Sequence, residues 1–119
     1  MKVIILCGGL GSRLAEETKI IPKPMVKIGK IPVICHIIKI YQYYGYNNFI
    51  LATGYKKEII ESYFKKKTNI KCFFSGEKTL TGGRLLRLKK FFKPGENFML
   101  TYGDGLTNQN IKKLENFHL

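Results

Sequence analysis

Four short segments set bare backbone and charged side chains where phosphate chemistry could be done. Gly8-Gly9-Leu10-Gly11-Ser12-Arg13-Leu14 is a glycine-rich turn. Its backbone N–H groups carry little steric cover, which suits close approach of phosphate oxygens. Ser12 adds a hydroxyl and Arg13 a fixed charge. Lys23 stands between Pro22 and Pro24, so its direction is constrained. Thr81-Gly82-Gly83-Arg84 is a second glycine-rich turn, and Gly103-Asp104-Gly105 sets one carboxylate between two glycines. Arginine binds phosphate through two parallel bonds that lysine cannot copy. The chain prefers lysine and has three arginines, Arg13, Arg84 and Arg87, and the first two lie in glycine-rich segments. That placement points to an anionic ligand. Each residue also has an ordinary reading: a tight strand-to-helix turn, a surface lysine, an arginine at a helix start, a turn aspartate. Arg87 reads as surface.

The first turn is distinct from two better-known phosphate loops. The spacing G-x-x-x-x-G-K-[ST] is absent, and Gly9-Leu10-Gly11 is followed by Ser12-Arg13-Leu14 rather than by a third glycine. Ala52-Thr53-Gly54 also lacks the acid that would hold a ribose. Cys7, Cys35 and Cys72 show no C-x-x-C spacing, and His36 and His118 are not placed to complete a zinc site. The cysteines read as small core residues in a reducing compartment, and His36 reads as packing beside an apolar helical stripe.

The elements that would hold these segments follow from apolar periodicity. Lys2–Cys7 reads as a buried strand. Pro22-Lys23-Pro24 predicts an extended loop, since proline disfavours helix in the residue before it. Ile34, Ile37, Ile38 and Tyr41 recur at helical spacing, predicting a helix over Val33–Tyr44 ended by Gly45. Asn48–Thr53 reads as a second strand and Ile59, Ile60, Tyr63 and Phe64 as a short helix. Ile70–Phe74 reads as a third strand. Thr81–Arg84 opens a helix carrying Leu85, Leu88 and Phe92, Lys93–Glu96 is a turn, and Asn97–Tyr102 a fourth strand. Thr107 or Asn108 then caps a last helix through Ile111, Leu114 and Phe117. Strand–helix repeated four times predicts an α/β fold with a Rossmann-like, mostly parallel sheet and flanking helices. With the strands in the order third, second, first, fourth, the crevice falls between the first and fourth, and Gly8–Arg13 faces Gly103–Gly105.

Composition narrows the classes. The chain has 119 residues, 45% hydrophobic and 24% charged. That is too apolar for a disordered polycation. No apolar run reaches the ~18–20 residues of a membrane span, and Met1–Cys7 runs into glycine without a cleavage site. The cytoplasm is the expected location. A net charge of +13 invites nucleic acid as a partner. The lysines, however, are scattered singly or in short runs such as Lys65-Lys66-Lys67, and abundant Lys, Ile and Asn together is what AT-rich codons alone would give.

Taken together, the hydrophobic strand, Gly8–Leu14 and Lys23-Pro24-Met25 resemble the sugar-1-phosphate nucleotidyltransferases. Thr81–Arg84 and Thr101-Tyr102-Gly103-Asp104-Gly105 bring the resemblance closest to the glucose-1-phosphate cytidylyltransferases. The resemblance implies attack of a sugar-1-phosphate oxygen on the α-phosphorus of CTP, with Mg2+ as cofactor and pyrophosphate released. It implies nucleotide binding by Leu6, Gly8, Gly9, Gly11, Ser12, Arg13, Lys23, Thr81, Gly82, Gly83 and Arg84. Arg13, Lys23 and Asp104 would be catalytic, with Asp104 the Mg2+ ligand. The family usually has Ala at Cys7 and Thr at Ser12, both mild departures. The stretch Lys65–Leu80 is shorter than in many cytidylyltransferases, so an inserted hairpin is expected to be missing. Family members are about twice as long, and their second half supplies the sugar pocket and a second metal-binding aspartate. Residues 1–119 therefore read as an N-terminal nucleotide-binding portion starting at a true Met1. Such a portion is compatible with a homo-oligomer and with little activity alone. Two rivals stand: a non-catalytic basic fragment that binds anions or nucleic acid, and a thymidylyl or guanylyl relative.

Overall fold

The computed structural model of the chain describes residues 1–8, 21–76, 81–103 and 111–118. Its centre is a four-stranded parallel sheet of β1 (Lys2–Leu6), β4 (Phe49–Thr53), β5 (Ile70–Phe74) and β6 (Phe98–Tyr102), in the spatial order β5-β4-β1-β6. β1 pairs with β4 through Val3 opposite Phe49 and with β6 through Val3 opposite Met99. This is the expected order, with β1 and β6 side by side. Two-residue strands β2 (Lys27–Ile28) and β3 (Ile31–Pro32) form a small antiparallel hairpin that periodicity could not reveal.

Alternation along β1 divides the core between the two faces of the sheet. Val3 and Ile5 join Phe49, Leu51 and Met99 under helix α1 (Val33–Tyr43), which lays down Ile34, Ile37, Ile38 and Tyr41. Ile111 of helix α4 (Ile111–His118) joins the same layer. Ile4 and Leu6 join Ile50 and Ala52 beneath Leu88 on the other face. That second layer is thin. On β6, Phe98, Leu100 and Tyr102 share its side and remain exposed.

Local chemistry sets the helix ends. α1 stops where Tyr46 N–H donates to Tyr41 O and Gly45 N–H to Gln42 O, both at 3.0 Å, around Gly45 with φ +93°. This is a Schellman cap, and its apolar partners are the edge-on rings of Tyr41 and Tyr46. Helix α2 (Lys57–Tyr63) matches the expected short helix. Helix α3 (Thr81–Arg87) is shorter than expected: a 3-10 turn at Lys89–Phe91 follows it, and Phe92 is already extended. Pro94 lies two residues on, and the chain leaves helical geometry ahead of it. A second difference lies at Lys23–Met25, which forms a 3-10 turn rather than an extended segment. Met25 N–H donates to Pro22 O and Val26 N–H to Lys23 O. Pro24 fits there because the first residues of such a turn need no internal N–H partner.

Candidate functional site at the carboxyl edge of the sheet

All four parallel strands leave the sheet through a glycine within two residues of their last paired position: Gly8, Gly54, Gly76 and Gly103. The carboxyl edge is thus lined with backbone lacking Cβ atoms, at the rim where open α/β sheets take their ligands.

At its centre the backbone is tied from both sides. Cys7 N–H donates to Ala52 O and Gly103 N–H to Leu6 O, each at 2.9 Å. Leu6 and Gly8 are buried. Gly103 is where absence of a side chain is required. A Cβ there would lie 2.8 Å from Pro24 Cγ, 3.0 Å from Pro24 Cβ and 3.2 Å from Leu6 O. The close approach brings the exits of β1 and β6 together with the Lys23–Met25 turn. Pro24 and Met25 are buried beneath that junction and Lys23 is half-buried.

Thr81, Gly82, Gly83 and Arg84 form the first turn of α3. They reach the same edge by another anchor. Arg87 Nη1 donates to Ser75 O at 3.0 Å, just past the end of β5. Ser75 is fully buried, and both its N–H (2.8 Å) and its Oγ (3.0 Å) donate to Thr53 O. Thr53, also fully buried, donates from Oγ1 to Glu61 Oε2 at 3.3 Å. α3 is therefore held to β5, and through it to β4 and α2. In strand order this anchor stands two positions from β1, about 10 Å at the usual strand spacing.

The structure thus brings Leu6, Gly8, Lys23 and Gly103 to one junction and holds the helix opened by Thr81–Arg84 at a second. Gly9, Gly11, Ser12, Arg13 and Asp104 lie outside the described residues, as do the expected caps Thr107 and Asn108. Arg87 is exposed, as its surface reading has it, and from there its guanidinium also makes the tie to β5. Its rarity in a lysine-preferring chain was the available signal. Thr53, Ser75 and Glu61 gave none, because their roles depend on which strand ends become neighbours. His36 is structural, donating from Nε2 to Ile28 O at 2.8 Å and so holding the hairpin to α1. Burial and the nearby Glu61 carboxylate push the Cys72 thiol up to about 11, so it is protonated at neutral pH and offers no nucleophile.

Mg2+ prefers carboxylate, water and phosphate oxygens. The described residues contain no group of three or more His, Cys, Asp or Glu that could hold a metal. What they offer is the fixed backbone of Gly103, directly before Asp104. A single carboxylate sharing the ion with phosphate oxygens fits the way Mg2+ is usually held. Among the described residues, no helix is long and apolar enough to cross a membrane.

A parallel α/β sheet with a glycine at the exit of each strand defines an open α/β fold of the class that takes its ligands at the carboxyl edge. The sequence profile of the Nucleotidyl transferase family matches residues 2–118, and the chain belongs to that family. It is similar to a probable glucose-1-phosphate cytidylyltransferase of Bacillus subtilis, 42% identical over an alignment of 142 residues covering 99% of this chain and 56% of the relative. It is also similar to a D-glycero-alpha-D-manno-heptose 1-phosphate guanylyltransferase of Campylobacter jejuni, 41% identical over 118 residues, covering 97% of this chain and 52% of the relative. Among solved structures, HddC from Yersinia pseudotuberculosis complexed with GMP-PN superposes with a TM-score of 0.83 at 28% identity, covering 99% of this chain and 54% of that one. The chain spans about half the length of the curated relatives it matches.

Proposed function

We propose that residues 1–119 are the nucleotide-binding portion of a cytoplasmic cytidylyltransferase that uses CTP and glucose 1-phosphate. The observation that carries this reading is the junction of Leu6, Pro24 and Gly103, which holds Lys23 and the residue before Asp104 beside the exit of β1. In the reaction, a phosphate oxygen of the sugar 1-phosphate bonds to the α-phosphorus of CTP. The bond from that phosphorus to the bridging oxygen breaks, and pyrophosphate leaves with the electron pair. No protein nucleophile is needed, so positioning and charge neutralisation supply the catalysis. The Gly8–Gly11 backbone and Ser12 hold the triphosphate, and Arg13 clamps the departing pyrophosphate. Lys23 offsets charge growing on the α-phosphate. Gly82 and Gly83 let backbone approach the base, with Arg84 beside base or ribose. Asp104 would hold Mg2+, which when bound neutralises phosphate charge. With about half the relatives' length, the chain alone is expected to bind CTP–Mg2+ weakly and turn over slowly or not at all.

Pyrophosphate release on mixing the chain with CTP, glucose 1-phosphate and Mg2+, alongside calorimetric titration with CTP–Mg2+, tests this reading. Binding in the micromolar-to-millimolar range with little release is expected. No binding at millimolar CTP removes the nucleotide reading, and ordinary enzymatic turnover would show that residues 1–119 suffice for catalysis.

One observation favours a guanylyl relative as the second reading. The alignment with the Campylobacter guanylyltransferase is about as long as this chain, whereas that with the Bacillus protein is longer than the chain's 119 residues. The Bacillus protein therefore carries residues within the matched region that this chain lacks, in keeping with the short Lys65–Leu80 stretch. Competition among CTP, dTTP and GTP for the chain separates the two.

A further inference from the structure

We propose that Arg87 is a positioning residue for base selection: its bond to Ser75 O sets where the Thr81–Arg84 turn stands above the end of β5. This rests on the nucleotide reading of Thr81–Arg84. The bond spans twelve residues of sequence and joins α3 directly to the exit of a core strand. Its acceptor is well held, because Ser75 is fully buried and donates twice to Thr53 O, and Thr53 donates in turn to Glu61. Immediately after Arg87, Leu88 is fully buried against Ile4, Leu6, Ile50 and Ala52. A side chain packed on the sheet fixes the height of α3 but leaves it free to rotate and slide, since apolar contact is non-directional. The guanidinium bond supplies the missing direction. Being charge-assisted it is stronger than a neutral bond, and a site built on bare glycine backbone needs such support to stay within a fraction of an ångström. Arg87, in the last turn of α3, serves the scaffold.

The test compares wild type, Arg87→Met and Arg87→Lys in titrations with CTP–Mg2+, GTP–Mg2+ and inorganic triphosphate–Mg2+, the last a probe without a base. Amide exchange across residues 83–88 is followed in the unliganded proteins. Arg87→Met is expected to weaken the preferred nucleotide by roughly tenfold, the usual scale of one charge-assisted hydrogen bond. The gap between CTP and GTP should narrow, inorganic triphosphate binding should be unchanged, and protection across 83–88 should fall. Arg87→Lys keeps a cationic donor and should recover part of the discrimination. It carries the same comparison should Arg87→Met fail to fold. Equal loss for all three ligands with unchanged protection would make Arg87 a direct phosphate contact and overturn the proposal, as would unchanged discrimination. If wild type binds neither nucleotide, the nucleotide reading itself fails and the role of Arg87 falls with it.

Discussion

Gly103 shows what a single residue does at this edge. Its N–H satisfies Leu6 O while its Cα sits against the Pro24 ring, so one atom's width separates three chain segments. In Gly103→Ala the new methyl meets Pro24 Cγ at 2.8 Å and the Leu6 carbonyl at 3.2 Å. Neither is the far end of a flexible side chain, so the Lys23–Met25 turn must move. Overpacking of this kind costs about 1–3 kcal/mol, and it displaces Lys23 along with Pro24. Thermal unfolding should show a lower midpoint, and CTP–Mg2+ affinity should fall by more than the stability loss accounts for. Unchanged affinity in a destabilised variant would show that the junction is scaffold only. The types of these residues were legible in sequence, because a carboxylate between two glycines and a lysine between two prolines each occur once in the chain. Their convergence was not, since it depends on an approach between residues nearly 80 positions apart.

At the scale of elements, strands and helices with strong periodicity were readable. α1 and its Gly45 cap follow from the spacing of Ile34, Ile37, Ile38 and Tyr41. The β2–β3 hairpin was not readable, because two-residue strands have no period. Nor was the break in α3, where Leu88 keeps its core position while Pro94 draws the following chain out of helix. α4 shows how a terminal element is tied down by polar contacts. Tyr46 Oη donates to Glu115 Oε1 at 2.6 Å, and Lys112 Nζ lies 2.9 Å from the same oxygen. These bonds hold the Glu115 carboxyl below the usual range, while burial and Glu115 push the Tyr46 hydroxyl up to about 12. The signs are opposite. Glu115's contribution is present above its unfolded value near 4.5 and is lost as pH falls through the lower folded value. Tyr46's contribution is present below 10 and is lost as pH rises through about 12. Tyr46→Phe should lower the unfolding midpoint by a few degrees at pH 7, and its deficit relative to wild type should shrink on titration to pH 3. A deficit constant with pH would show that the ring, not the hydrogen bond, anchors α4.

For the whole molecule, strand order was the inference that reached furthest. Four strand–helix units with right-handed crossovers leave few arrangements, and the order third, second, first, fourth, under which the crevice falls between the first and fourth strands, is the one the sheet adopts. The charge was harder to interpret, because a formal +13 says nothing of direction. In the folded chain the lysines spread over separate elements. Lys27 and Lys30 lie on the hairpin, Lys39 on α1 and Lys65, Lys66 and Lys67 after α2. Lys71 lies on β5, Lys89 and Lys90 beyond α3 and Lys113 on α4, and all of these are exposed. Lys2 is drawn inward to Phe91 O and Glu96. Charges distributed in this way attract any polyanion by counterion release without recognising one. Fluorescence anisotropy with a single-stranded oligonucleotide should therefore show weak association at 20 mM salt that is independent of base sequence and is lost by roughly 150–200 mM, as the logarithmic salt dependence requires. Mg2+-nucleotide binding rests on a few fixed groups and should decline far less over that range. Oligonucleotide affinity that persists at 200 mM salt, or that CTP–Mg2+ displaces competitively, would mean that the lysines form a directed nucleic-acid surface sharing the carboxyl edge.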